Sequence, residues 1–318
     1  GSRKSLRRSR AVIALLCLVI AVLLVLLLRP AKLDVYKTIG ELEFADAALA
    51  ACVREVAANH NWKDAGHIVS LRCNNPTGEP IRNLAGIEHL VALKDVNLAF
   101  NAISDVGPLG QLPRLEVVDL SHNRLDGLPL LRAAGTLRRL EFNYNNLESV
   151  NWLSTQNFAA LESLSLAHNH LESLEELTAV PSLVELNVRS NRLTSIEPIP
   201  VLTKLRFLDA GSNSIRRIEK LGALTEMRRL FLDENRLSAV TGMDSLDQLE
   251  ELDLSDNPLE DISALGSLQR LQRLELSRTE IRDLDGILAL GDLEILRLYG
   301  DVSLSCESIR MAVEELGA

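Results

Sequence analysis

Residues Leu249 to Asn257 read LEELDLSDN, a phrase of the form Leu-x-x-Leu-x-Leu-x-x-Asn. The phrase recurs at Leu115 to Asn123 (LEVVDLSHN) and at Leu161 to Asn169 (LESLSLAHN). Its final asparagine returns every 22 residues along most of the chain, with one step of 24 residues from Asn145 to Asn169. The full series is Asn101, Asn123, Asn145, Asn169, Asn191, Asn213, Asn235 and Asn257. A unit repeated at a fixed period predicts a solenoid, in which neighbouring copies complete one another's core.

The spacing within the phrase assigns a role to each position. Leucines at positions 1, 4 and 6 should point inward and stack on those of the next copy. The asparagine at position 9 can close the turn after the strand by bonding unpaired backbone groups, so that the series forms a ladder. About a dozen residues remain after each strand, which is too few for a long helix and predicts short 3₁₀ or extended segments. A solenoid of this kind offers an extended binding face and no deep pocket.

The phrase resembles that of leucine-rich repeats over residues 68–300. The repeat tails, such as Ile103-Ser104-Asp105-Val106 and Leu259-Glu260-Asp261-Ile262, resemble the bacterial internalin-like class and the eukaryotic phosphatase-regulator class. The resemblance implies an α/β repeat solenoid, a horseshoe with a parallel sheet on its concave face and helical caps at both ends. Thr279 and Asp301 stand where asparagine is expected, as in an array that is ending.

Residues 11–28 (AVIALLCLVIAVLLVLLL) are uniformly apolar. As a helix they would span roughly 27 Å, enough to cross a bilayer core. Residues 1–10 carry five basic residues and no acid, so the positive-inside rule predicts a cytoplasmic tail and repeats on the other side. We expect residues 11–28 to be an uncleaved transmembrane signal anchor and residues 29–43 a short stalk. The alternative is a cleaved signal peptide, although no Ala-x-Ala-like site follows the apolar run.

The remainder of the chain is strongly acidic. Residues 31–318 hold 28 basic and 44 acidic residues, a net charge of −16. This balance disfavours nucleic acid and anionic lipid as partners. The sequon at Asn75-Pro76-Thr77 is disabled by its proline, and no other is present. These features favour a bacterial inner-membrane protein with a single span, a cytoplasmic amino terminus and repeats in the periplasm.

Residues 44–67 predict a helical amino-terminal cap. Leu49, Cys52, Val53 and Val56 share one helix face over residues 46–59, with Asp46 placed to cap the helix. A helix lying across the open end of the coil would bring Cys52 to Cys73, the inward position 6 of the first strand. A disulfide is expected there; the alternative is a pair of buried free thiols, as in a cytosolic domain. The segment resembles the cap of internalin-like proteins.

Residues 301–318 predict a carboxyl-terminal cap. A helix starting at Ser305 would present Ile309, Ala312, Val313 and Leu316 on one face and seal the last strand. Cys306 has no evident partner and is expected to be a buried thiol.

Two sets of aromatic side chains are candidate partner-binding residues. Position 8 of the first four repeats reads Phe100, His122, Tyr144 and His168. Such side chains give large amphipathic contacts to a protein partner and also suit sugar rings. The alternative is that the four rings merely stack on one another.

The second set lies further along the chain. Phe207 at outward position 3 and Phe231 at outward position 5 of the next repeat should be diagonal neighbours on a charged face, with Arg229 among the surrounding charges. Cross-strand ion pairs or a polar partner would explain those charges equally well. Phe142, at inward position 6, is assigned to the core.

No motif for catalysis, metal or cofactor binding is present. The chain has no CxxC, HExxH, GxSxG or phosphate-binding glycine motif, and His122 and His168 lie two strands apart, too far for one zinc ion. We therefore expect no enzymatic activity and no cofactor. The predicted function is a membrane-anchored periplasmic scaffold or adaptor that binds another envelope protein on its concave face, within an envelope assembly. The alternatives are a glycan or peptidoglycan receptor and a regulatory subunit of an enzyme, which would need cytosolic repeats.

Overall fold

Eleven short strands form one parallel sheet in strict chain order. A computed structural model describes residues 36–74, 78–300 and 304–316, apart from the side chains of residues 312, 315 and 316. Each strand pairs in register with the next, so equivalent repeat positions stand side by side. The strands are Ser70–Arg72 (β1), Asp95–Asn97 (β2), Val117–Asp119 (β3), Arg139–Glu141 (β4), Ser163–Ser165 (β5), Glu185–Asn187 (β6), Phe207–Asp209 (β7), Arg229–Phe231 (β8), Glu251–Asp253 (β9), Arg273–Glu275 (β10) and Ile295–Arg297 (β11).

The leucine positions form the core, as predicted. Leu249, Leu252 and Leu254, at positions 1, 4 and 6 of one repeat, have no solvent exposure. Positions 3 and 5 flank the buried position 4 and point to the other side, where they form the concave face. The predicted parallel solenoid is confirmed over the described repeats.

The asparagine ladder is also confirmed. The Nδ2 of Asn257 donates to the carbonyl oxygens of Leu232, Leu254 and Ser255 at 2.9–3.1 Å. Its Oδ1 accepts from the backbone N–H of Leu237 at 2.9 Å, in the preceding repeat. Each asparagine thus satisfies backbone groups of two neighbouring repeats, which sets the stacking register.

Short 3₁₀ segments occupy the other side of the coil, as the repeat length predicts. In the repeats they span Ile87–His89, Gly107–Gln111, Asn151–Leu153, Glu175–Ala179, Ile199–Val201, Leu221–Ala223, Ser263–Ser267 and Asp285–Ile287. Two more, Ile39–Glu41 and Ala65–His67, lie in the amino-terminal cap.

The single 24-residue step is filled by aromatic packing. Trp152 lies 5.7 Å from Phe142 and 5.8 Å from Phe158, ring centroid to ring centroid, and all three side chains are buried. The assignment of Phe142 to the core is confirmed. The Gln156 side chain ties the longer loop to the previous one by accepting from Leu131 N–H at 2.6 Å.

The amino-terminal cap contains the predicted helix, α1 (Ala47–Asn59). The Oδ1 of Asp46 accepts from the N–H groups of Ala48 and Leu49 at 2.9 and 3.1 Å, so two unsatisfied donors of the first turn are capped. Cys52 and Cys73 form a disulfide with their Cα atoms 5.8 Å apart. The predicted pairing is therefore the one that the structure contains.

The carboxyl-terminal helix, α2 (Cys306–Leu316), forms but does not seal the last strand. The Oγ of Ser305 accepts from Ser308 N–H at 3.0 Å, yet Ile309 and Val313 are 40% and 48% exposed. Core leucines of the last repeat remain only half-buried. Cys306 is a free, exposed thiol. The predicted seal and the predicted buried thiol are wrong, because amphipathic spacing specifies a helix and not the surface that covers its apolar face.

Within the residues that the structure describes, no helix is long and apolar enough to cross a membrane. The predicted tail at 1–10, the predicted anchor at 11–28 and the stalk up to residue 35 lie outside the described residues.

Candidate binding face

Position 8 lies three residues beyond each strand, along the carboxyl-terminal edge of the sheet. Phe100, His122, Tyr144 and His168 adopt φ angles of 54–59° there, and later repeats hold Ser190, Ser212, Glu234, Asp256, Arg278 and Gly300 in the same left-handed region. This conformation is costly for residues other than glycine and is less so for asparagine, aspartate and histidine. The turn thus aligns nine successive side chains in one column, whatever their chemistry, and Gly300 occupies the tenth position.

The first four side chains of that column form a continuous stack, which we name the aromatic ladder (Phe100, His122, Tyr144, His168). Successive ring centroids are 4.1, 4.1 and 3.9 Å apart, with interplanar angles of 12–13°. The alternative named from the sequence, that the four rings stack on one another, is what the structure shows. Both faces of His122 and of Tyr144 are covered by neighbouring rings, while Phe100 and Tyr144 are still 45% and 46% exposed. The ladder therefore presents ring edges and the Tyr144 hydroxyl to solvent.

The surroundings of His168, the last ring of the ladder, favour its neutral form. Burial lowers the pKa of His168, and the charge of Arg189 and the neighbouring His122 lower it further. A neutral imidazole at this place preserves the stack, because a charged ring would lie beside the guanidinium of Arg189.

The later side chains of the column are polar and form hydrogen bonds and ion pairs with one another. Ser212 donates to a carboxylate oxygen of Glu234 at 2.9 Å, and Asp256 forms an ion pair with Arg278. One backbone geometry thus supports an aromatic edge in the amino-terminal half and an ionic edge in the carboxyl-terminal half.

An ionic bridge that the sequence did not predict lies just beyond the ladder. Arg189 donates to both carboxylate oxygens of Asp233, two repeats away, at 2.8 and 2.6 Å, and its guanidinium lies 3.5 Å from Asp209. It reaches across Gly211, where an added Cβ would lie 2.3 Å from the Arg189 nitrogen. The signal was available, because position 7 reads Arg, Gly, Asp at 22-residue intervals.

The second predicted set is assembled on the sheet itself. The rings of Phe207 and Phe231 lie 5.8 Å apart at 54°, so the expected diagonal contact is confirmed. The guanidinium carbon of Arg229 lies 4.9 Å from the Phe207 ring centroid, a cation–π contact. Both rings are half-buried. We name this group, with Asp253 beside it, the phenylalanine patch (Phe207, Arg229, Phe231, Asp253).

Two carboxylates flank Phe231 in the sheet, Asp209 on β7 and Asp253 on β9. Burial raises the pKa of both, and nearby carboxylates raise the pKa of Asp253 further. Each of the two accepts a backbone hydrogen bond from the residue two positions later, which opposes the rise. Their charged forms are thus partly desolvated beside an apolar ring.

The two aromatic groups do not meet. The ladder ends at His168, in the repeat of β5, and the phenylalanine patch begins at Phe207 on β7, with the Arg189 repeat between them. The described residues contain no group of three or more histidine, cysteine, aspartate or glutamate side chains that could hold a metal ion.

Comparisons with known proteins agree with this architecture. A family model described as leucine-rich repeats (2 copies) matches residues 91–132, 159–201 and 247–289. No curated protein sequence shows significant similarity to the chain. Among solved structures, an internalin (inlF) from Listeria monocytogenes aligns with a TM-score of 0.70 and 24% identity, covering 89% of this chain and 90% of that one.

Two further solved structures are complexes. The leucine-rich-repeat ectodomain of the receptor kinase GASSHO1/SCHENGEN3 from Arabidopsis thaliana, with CASPARIAN STRIP INTEGRITY FACTOR 2, aligns with a TM-score of 0.56 and 22% identity over 69% of this chain and 28% of that one. A TLR13–ssRNA13 complex aligns with a TM-score of 0.59 and 22% identity over 70% and 36%. The repeat phrase, the asparagine ladder, the parallel sheet and the family match over part of the chain agree, and the chain has the leucine-rich-repeat fold.

Proposed function

We propose that this protein is a membrane-anchored scaffold that holds a protein partner along its concave face and the edge formed by the aromatic ladder. The observation that carries the proposal is the exposure of Phe100 and Tyr144, close to half of each side chain, on an otherwise charged surface. Exposed aromatic side chains that are already ordered lose little entropy on binding, as contact residues in protein interfaces do.

The stacking geometry favours a protein over a glycan. A sugar ring binds to the face of an aromatic ring, and the faces of His122 and Tyr144 are occupied within the ladder. The accessible ring edges and the Tyr144 hydroxyl suit a loop or strand laid along the column. Leucine-rich-repeat proteins commonly mediate protein–protein interaction, and the complex from Arabidopsis thaliana is an example of the fold with a bound partner.

The disulfide supports a non-cytoplasmic location. Disulfides persist in oxidising compartments such as the bacterial periplasm and are rare in cytosolic proteins. Together with the apolar segment 11–28 and the basic residues before it, the Cys52–Cys73 bond favours a bacterial inner-membrane protein with periplasmic repeats. Its partner would be another envelope protein, within an envelope assembly. A regulator of a cytosolic enzyme would be expected to keep its thiols reduced.

Site-specific crosslinking in intact producing cells tests the proposal. A photoreactive residue in place of Tyr144 should give one dominant adduct with an envelope protein, and the added change His122→Ala should reduce it. The same residue in place of Leu130, which is 71% exposed in the loop after β3, is the matched control and should not give that adduct. A folded, membrane-inserted sample that yields no protein adduct at Tyr144 would overturn the proposal in favour of a glycan or of another face.

Thiol alkylation tests the location independently. In protein taken directly from cells, Cys52 and Cys73 should be alkylated only after reduction, whereas Cys306 should react without reductant because its thiol is free and exposed. Free reaction of all three thiols would contradict the periplasmic placement.

A further inference from the structure

On the concave face of the carboxyl-terminal half, every described acidic side chain but one has an arginine partner. Along β7 to β10 and the turns that follow, each described acid lies within 4 Å of an arginine guanidinium, Asp253 excepted. The paired acids are Asp209, Asp233, Glu234, Glu250, Glu251, Asp256 and Glu275. Asp253 has no ion pair among the described residues. It accepts from the Ser255 backbone N–H at 2.9 Å and from the Ser255 side chain, and the charges of Asp233 and Glu275 raise its pKa.

All but one of the described arginines on this face likewise have an acidic partner. Arg206, Arg228 and Arg273 lie 2.7, 2.7 and 3.9 Å from Glu226, Glu250 and Glu251, and Arg278 and Arg297 also have acidic partners. Arg229 has no ion pair among the described residues. Its guanidinium lies instead over the Phe207 ring.

The two exceptions border the same apolar pair and are diagonal neighbours of each other on β8 and β9. Asp253 is the register partner of Phe231, and Arg229 is the register partner of Phe207. On the described carboxyl-terminal face, one cation and one anion lack a counter-ion. Both border the only described phenylalanine pair on that face. Random placement of surface ion pairs gives no reason for this coincidence.

We propose that the phenylalanine patch binds a protein segment in which an apolar side chain, seated on Phe207 and Phe231, is accompanied by a basic residue that pairs with Asp253 and an acidic residue that pairs with Arg229. This inference rests on the proposed scaffold function and names the chemistry of one part of the partner.

Charge and burial favour a protein segment of mixed charge over a uniformly acidic or basic segment. The surrounding charges are neutralised within the protein, so only Asp253 and Arg229 remain to be paired. Burial already desolvates the Asp253 carboxylate and raises its pKa, so part of the desolvation cost of an interfacial ion pair is met before binding. An apolar anchor beside two charge pairs also has the arrangement of an interface hot spot, in which surrounding contacts exclude water.

A peptide array read with the full-length protein in detergent tests the proposal. The probes are nonapeptides with a central Leu or Trp and with Asp, Lys or Ser at the flanking positions. The wild-type protein should retain peptides with one acidic and one basic flank at least 10-fold better than all-Ser peptides. The Asp253→Lys variant should select peptides with Asp at the position where the wild type selects Lys. The Arg229→Glu variant should select peptides with Lys at the position where the wild type selects Asp. Glu260→Lys, at an exposed acid in the loop after β9 and away from the strand face, is the matched control and should leave the selection unchanged.

Phe231 supplies the second test. Phe231→Ala should abolish the selection, whereas Phe231→Leu should retain it, and thermal unfolding should show that both variants are folded. Absence of mixed-charge selection by the wild-type protein, or the same selection by Asp253→Lys, would overturn the inference. In that case a Tyr144 crosslink that persists would leave the scaffold function standing, and loss of every protein adduct would remove the scaffold function itself.

Discussion

The two halves of the position 8 column share a backbone and differ in chemistry. Phe100 to His168 and Ser190 to Arg278 have φ angles between 50 and 59°. In the first set the side chains stack as rings, and in the second they pair through hydroxyls and charges. The turn therefore fixes the position of each side chain and leaves its chemistry free. This is how a repeat array can vary its binding surface while its core stays the same.

The comparison assumes that the core is equally well packed in the amino-terminal and carboxyl-terminal halves. Leu140 on β4 and Leu230 on β8 occupy the same inward position with no exposure. Leu140→Ala and Leu230→Ala should each lower the free energy of unfolding by roughly 2–5 kcal/mol, since each leaves a cavity in close-packed surroundings. Urea denaturation measures both. A cost well below that range at one site would show that the core of that half is less tightly packed.

The ionic half should depend on its long bridge. Gly211→Ala places a methyl group where the Arg189 guanidinium crosses, and it should separate Arg189 from Asp233. Because Asp233 is nearly buried, the loss should be about 1–3 kcal/mol in the free energy of unfolding. Ser121→Ala, at the same repeat position and also buried, is the control and should change stability little, because the Ser121 hydroxyl has no hydrogen-bond partner among the described residues. Equal effects of the two changes would contradict the bridge.

Glycine substitutions at position 8 should have opposite signs in the two halves. Tyr144→Gly relieves the left-handed strain but removes two ring stacks of ~0.5–1.5 kcal/mol each, so it should destabilise by roughly 1–2 kcal/mol. Ser190→Gly relieves the same strain with no stack to lose and should stabilise by up to about 1 kcal/mol. Thermal unfolding distinguishes the two outcomes, and a loss at both positions would mean that the strain is negligible.

The smallest expected effect is a pH dependence confined to the ladder. His168 has a folded-state pKa below the ordinary 6.5, so the folded state binds fewer protons than the unfolded state as pH falls through that region. Its contribution to stability is therefore present above about pH 6.5 and is lost as pH falls toward the depressed value. His168→Phe keeps the stack and removes the titration. The stability of the wild type relative to this variant should fall on acidification, and a pH-independent difference would contradict the depressed pKa.

The periodicity of leucine and asparagine was sufficient to predict the solenoid, its inward positions and the asparagine ladder. The period of a repeat directly encodes which side chains face the core. Helix α1 was also predictable, because Asp46 and the apolar spacing specify a helix, and Cys73 at the inward position of the first strand offered Cys52 a partner. The seal expected from α2 was not, since amphipathicity carries no information about what the apolar face contacts.

The candidate face shows the same division. The sequence alone determined which residues share a column, and hence that Phe100, His122, Tyr144 and His168 are neighbours and that Phe207 and Phe231 are diagonal. Only the tertiary structure decided that the ladder rings cover one another's faces, that Arg189 passes over Gly211 to Asp233, and that Asp253 and Arg229 have no ion-pair partner among the described residues. The reason is physical: register follows from the repeat length, whereas the partner of a long charged side chain depends on its rotamer and on competition among several neighbours within reach.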